Sequence, residues 1–217
     1  MKILPLIFVI VFAVGCSGPE KEVKDLSQSP KIKKQQLPPI PDNVTKKFVM
    51  DLWSQPNDEN NIIKEVKSHV GKSGVWKISR KMGPNEDQYV ENNEIEMVLK
   101  FSNQRYAIWE IINPETQNPM YSLITYDFEK EKYRWWEFGE DSTGNSYSVE
   151  YAGQLLEGLI EWESIVFPQE GGKVTIKEIS KTNNRIEQIM KVYNEEKIVL
   201  AAKDVVTWSS ELTKKKE

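Results

Sequence analysis

A single cysteine, Cys16, and a single histidine, His69, leave this 217-residue chain unable to form an internal disulfide or a cysteine–histidine metal site. Its longest apolar run, residues 3–14, contains Pro5 and falls short of the roughly 20 residues that cross a bilayer. Positive charge is not in excess: 29 Lys and Arg stand against 33 Asp and Glu, for a net charge of -4. That leaves no electrostatic footprint for nucleic acid, which needs a clustered basic face. There is no G-x-S-x-G elbow and no Gly-rich phosphate loop, and a Ser-His-Asp triad would have to use His69. Carboxylate pairs such as Glu161 with Glu163 recur at period two on a face that reads as solvent, not across a sugar cleft. No catalytic residue, metal ligand or cofactor is assigned, and the chain is expected to be no enzyme.

Aromatic residues, by contrast, are many: seven Trp, eight Tyr and seven Phe. Residues 120–138, MYSLITYDFEKEKYRWWEF, show their arrangement. Two runs of β-branched and aromatic residues flank the charged turn Glu129-Lys130-Glu131, which is the signature of a β-hairpin. The same unit repeats on both sides. Strands are expected at 74–82, 92–101, 104–112, 119–128, 131–138, 146–152, 155–163, 172–180, 184–193 and 196–208. Turn residues fall between them, including Ser102-Asn103, Ala152-Gly153-Gln154 and Asn194-Glu195-Glu196. Short links force antiparallel neighbours. A meander of about ten strands closes to remove its edges. The expected fold is therefore all-β: a closed up-and-down antiparallel barrel preceded by one or two short α-helices.

Alternation names the two faces. Ile95, Met97, Leu99 and Phe101 oppose Glu94, Glu96 and Lys100, so one face is wet, unlike the apolar outside of a membrane barrel. The fifth strand is aromatic on both faces, so something should cover its outside. Before the strands, Val44, Phe48 and Leu52 share one face of a helix capped by Asp42 or Asn43. Ile62, Val66 and Val70 share a face of a second helix, which Gly71 stops. The pair reads as a plug over one barrel end or as a lid over a ligand mouth. His69 reads as a helix-end residue near the last carbonyls.

The N-terminus sets an address. Lys2 and the apolar run read as a secretory signal. Its end, Ala13-Val14-Gly15-Cys16, resembles a bacterial lipobox, with Ala13 where Leu is commonest. That resemblance implies cleavage before Cys16, lipidation of its sulfur and anchorage in the cell envelope, in the outer membrane if the organism is diderm, since Ser17 and no Asp follows. Residues 17–41 are polar, charged and Pro-rich, and read as a tether. The expected organisation is a signal peptide at 1–15, lipidated Cys16 and tether at 16–41, a helical cap at 42–71 and a barrel at 72–213.

Gly74-Val75-Trp76 after a short helix resembles the G-x-W start of the lipocalin and fatty-acid-binding (calycin) barrels. More of the chain, about residues 60–208, resembles the uncharacterised bacterial barrels of the domain of unknown function 1579 family. The shared features are the helix over 62–70, Trp76, the Gly83-Pro84 turn, Tyr126-Asp127, Tyr133 and Trp135. The resemblance implies a calycin-like barrel and no established activity. The neighbouring nitrobindin-like haem barrels hold haem through a His late in the barrel. This chain has no His there, so haem is not expected unless His69 folds over the mouth.

Inward parity then proposes a site. Arg80 on the first strand and Asp204 on the last would be neighbours in a closed barrel and pair across the seam; alternatively Arg80 receives a ligand carboxylate, as internal arginines do in fatty-acid-binding barrels. Trp109, Tyr121, Tyr126, Trp135, Tyr151 and Trp162 are the candidate cavity wall, with core filling as the plainer role. The leading expectation is a membrane-tethered, non-catalytic barrel that binds a small apolar or amphipathic ligand. The alternative is an envelope protein with a solidly packed barrel acting through its outer surface toward an unknown protein partner. An isomerase or cyclase using Tyr and Arg comes third, and would need a cavity group with a shifted pKa.

Overall fold

The computed structural model describes residues 37–112, 118–140, 143–156, 159–167, 171–182 and 184–209. The expected signal peptide, Cys16 and the tether up to residue 36 lie outside the described residues. Two helices, α1 (Lys46–Trp53) and α2 (Lys64–Val70), precede ten strands: β1 (Gly74–Gly83), β2 (Glu91–Ser102), β3 (Tyr106–Ile112), β4 (Pro119–Asp127), β5 (Lys132–Glu140), β6 (Ser146–Leu156), β7 (Leu159–Val166), β8 (Gly172–Thr182), β9 (Arg185–Asn194) and β10 (Lys197–Ser209). Each strand pairs antiparallel with its neighbours in sequence, and β10 pairs with β1 to close the barrel. Closure leaves no bare sheet edge, the outcome expected for a meander of this length.

Period-two alternation builds the wall. On β2, Met97, Leu99 and Phe101 are buried while Glu94 is exposed. Tight turns link the strands through left-handed backbone at Asn103 and Gln104, φ 52 and 60, at Glu131, φ 52, and at Glu195, φ 55; of these only Asn103 is a residue type that favours that region. In the β4–β5 turn, Asp127 Oδ1 accepts the N–H groups of Glu129 and Lys130 at 3.1 and 3.2 Å, which fixes the hairpin expected there.

One expected turn is corrected. Ala152-Gly153-Gln154 is not a turn; β6 runs through it to Leu156. Gly153 pairs with Trp162 across β6 and β7, and a Cβ at 153 would lie 2.5 Å from the Trp162 ring. The glycine serves close packing, not a change of direction. β7 starts at Leu159 and not at 155.

The first helix is also capped and placed differently from expectation. Thr45 caps α1, its side chain accepting the Phe48 N–H at 3.2 Å, in place of Asp42 or Asn43. The helix does not sit over a barrel end. Val49 and Leu52 pack with Tyr106, Ile108, Leu123, Trp136 and Phe138, the outward side chains of β3, β4 and β5. This is the cover that an aromatic outer face on the fifth strand requires. Fully burying such side chains contributes about 1.5–3 kcal/mol each. By contrast α2 closes one end: Val66 and Val70 join Trp76, Leu99 and Phe101 in the barrel core, and Gly71 at φ 85 ends the helix. The Tyr133 hydroxyl donates to the Glu65 carbonyl at 3.1 Å and ties α2 to β5.

The stretch expected to finish the tether is docked from residue 37 onward. Leu37 packs against the barrel core and Ile40 against the outer cluster. The buried Arg105 donates to the Pro38 carbonyl, and through Nη2 to the Tyr126 carbonyl at 3.1 Å. A proline-rich irregular segment has carbonyls to offer and few N–H groups, so a buried guanidinium is a fitting clamp.

Candidate ligand cavity

Inside the barrel lies a cavity of about 290 Å³. Strand direction alternates around the wall, so its lining runs from His69 and Trp162 at the α2 end to Met120, Tyr147 and Phe167 at the other. The volume is at the small end of ligand pockets, about 300–1,000 Å³. A groove of about 520 Å³ crosses the outside of β6–β9, but charged side chains fill its rim and pair with one another: Lys177 with Glu161 at 3.2 Å and Lys191 with Glu86 at 2.6 Å. The inner cavity combines apolar walls with buried polar groups inside the barrel.

Five expected site residues line it: Arg80, Trp109, Trp135, Tyr151 and Trp162. Two do not. Tyr121 faces outward, in the cluster under α1, with its hydroxyl donating to Glu110 Oε1 at 2.8 Å. Tyr126 is inward but packs at the α2 end against Phe128 and Tyr133. Five positions separate the two tyrosines, so a regular strand puts them on opposite faces.

The polar heart of the cavity is a network across β1, β10, β5 and β6. Asp204 accepts from Arg80 twice, Nε to Oδ1 at 2.8 Å and Nη2 to Oδ2 at 2.6 Å. Burial pulls the Arg80 pKa down, but the hydrogen bond and charge of Asp204 outweigh it and hold the guanidinium above its ordinary value. Burial pushes the Glu137 carboxyl above the ordinary carboxylate value; a hydrogen bond from the Tyr151 hydroxyl at 2.8 Å and the charge of Arg80 counter it only in part. Tyr151 is pushed up by burial and by the Glu137 charge. Tyr147 is pushed up to about 12 by the same causes in the same order. Trp135 stacks on Tyr151, centroids 4.7 Å apart, and meets Trp162 edge-on at 5.4 Å.

Glu137, Tyr147, Ser122 and Gln188 were not foreseen in this lining. Glu137 had a signal: it lies two positions from Trp135, so it shares that residue's face. Three polar atoms on the lining side chains are buried without a hydrogen-bond partner: Trp109 Nε1, Trp135 Nε1 and Ser122 Oγ. Ser122 sits near enough to Glu137 to ease its pKa shift without forming a bond. Orphaned buried donors are rare in folded proteins and call for an explanation.

His69 is a helix-end residue as expected, but its ring turns into the barrel. It is buried at 3% exposure, contacts Tyr133 and Trp162 with centroids 5.0 and 5.5 Å away, and turns Nε2 toward Glu178 Oε2 at 3.5 Å. Glu178, buried at 2%, also accepts from Trp162 Nε1 at 3.2 Å. With Nε2 facing a carboxylate, that nitrogen is not presented to the cavity as a haem ligand. Among the described residues no group of three or more His, Cys, Asp or Glu is placed to hold a metal ion, and no helix is long and apolar enough to cross a membrane. Neither the protein-family models nor the curated proteins contain a match to this chain.

Proposed function

We propose that this protein is a lipid-anchored envelope protein, tethered through Cys16, whose calycin-like barrel binds a small amphipathic ligand. The observation that supports the binding role is the inner cavity with its orphaned donors. A barrel packed solid would bury apolar side chains there, not two indole N–H groups and a hydroxyl without partners. The alternative is a solidly packed barrel that acts through its outer surface; one patch of that surface, the aromatic outside of the fifth strand, is taken by α1, which covers Trp136 and Phe138. Native mass spectrometry of the purified full-length protein, followed by organic extraction, tests the reading. A co-purifying small molecule supports it. A bare protein mass, with no thermal shift from a panel of lipids and isoprenoids, sinks it.

A second reading has one specific support. Glu137, with its raised pKa and its bond to Tyr151, is equipped to move a proton in the manner of an isomerase. Solvent deuterium entering the extracted ligand with the native protein, and not with Glu137→Gln, would establish it.

A further inference from the structure

We propose that the cavity selects an uncharged molecule headed by a hydrogen-bond acceptor, such as an ester, amide or ketone, and rejects carboxylates. This rests on the reading that the cavity holds a ligand, and narrows the ligand's class.

Charge comes first. The single guanidinium in the lining already has two of its donors on Asp204, at 2.8 and 2.6 Å. Glu137 adds a second carboxyl to the same cluster. The cluster is neutral when Glu137 holds its proton and net negative when it does not; in neither state is it positive. At the α2 end, His69 faces Glu178 and so brings its own carboxylate. An entering carboxylate therefore finds each cation matched and a carboxyl nearby, in a site where like charges repel strongly. This is the reverse of a site in which an internal arginine waits for an acid.

Donors come second. Indole N–H donates and cannot accept. Trp109 Nε1 and Trp135 Nε1 are therefore satisfied only by an acceptor, and Ser122 adds a hydroxyl that donates as well. An amine head would add donors where donors are already in surplus. Met97, Met120 and Met190 are also in the lining, and thioether side chains conform to varied shapes, which suits an apolar tail. A cavity of 290 Å³ suits a medium-length tail rather than a long one.

The test uses the full-length protein and one medium-chain alkyl tail carrying four heads: carboxylate, methyl ester, primary amide and amine. Binding is read by calorimetry at a pH where the carboxylate is ionised. The ester and amide are expected to bind at least about tenfold tighter than the carboxylate or amine. Trp135→Phe and Trp109→Phe, which keep the ring and remove the donor, should each weaken the amide by up to about tenfold, the scale of one hydrogen bond, and leave the carboxylate unchanged. Asp204→Asn, which frees Arg80, should reverse the order in favour of the carboxylate. If Asp204→Asn does not fold, the tryptophan variants still decide. A carboxylate or amine that binds the native protein as tightly as the ester overturns the selectivity and leaves the binding role standing. No binding of any head, together with a bare native mass, overturns both.

Discussion

Asp204 on β10 stands directly opposite Arg80 on β1 and takes both arms of its guanidinium, at the one seam of the barrel that joins the two ends of the strand order. The pair is half-shielded, with side-chain exposures of 27% and 8%. Removing one partner leaves a charge with poor solvation, which typically costs about 3–5 kcal/mol. Asp204→Lys should therefore lower the unfolding free energy read from urea melts by about that amount. The double change Arg80→Met with Asp204→Leu should recover most of it, since a matched apolar pair needs no compensation. Unaltered stability in Asp204→Lys would remove the pair from any role in closure.

The Trp162 ring occupies the space where residue 153 would carry a side chain. Gly153→Ala should destabilise by about 1–3 kcal/mol through overpacking. In a Trp162→Leu background the same change should cost far less, because the obstructing ring is gone. A double-mutant cycle in denaturant checks this; additive costs would mean that the strain lies elsewhere.

Stability should depend on Glu137 and pH. Its carboxyl holds a proton more tightly in the folded chain than in the unfolded one, where the ordinary value is about 4.5. The folded state thus binds more protons through the window between 4.5 and the raised value. The contribution is complete below that window and is lost as pH rises through it. Unfolding free energy measured from acid to neutral pH should fall more steeply in the native protein than in Glu137→Gln. Parallel curves would contradict the assignment.

The outer cluster under α1 predicts an exposed liability. Leu52, 4% exposed, should cost about 2–5 kcal/mol when cut to Ala. Loosening α1 uncovers Trp136 and Phe138, so dye binding to apolar surface should rise before the barrel itself unfolds. Tyr121→Phe, on the same outer face, should leave ligand binding in the cavity untouched.

Much of this molecule was legible beforehand, and the reasons are local. Alternation on β2 and the polar turns around Asn103 and Glu195 carry the meander, because each strand is half wet. Arg80 and Asp204 were readable as a pair once the first and last strands were taken as neighbours. Gly153 was misread because glycine marks both turns and close packing, and only the partner strand tells them apart. Tyr121 was misread because β4 and β5 are apolar on both faces, so parity there does not distinguish core from a face under a helix. The orphaned indoles of Trp109 and Trp135 were out of reach: a missing partner is a property of three-dimensional surroundings and leaves no mark in a run of residues.

The bond between Arg80 and Asp204 also orders events in time. Its two ends lie 124 positions apart, so no part of it can form while β10 is still being made. Until then β1 and β9 are bare edges, and the interior has an opening along its whole height. A long-range seam of this kind makes folding slow relative to hairpin growth, and makes the half-finished sheet prone to pairing with other chains. The chain therefore gains from whatever keeps its early strands apart until the last one has been made.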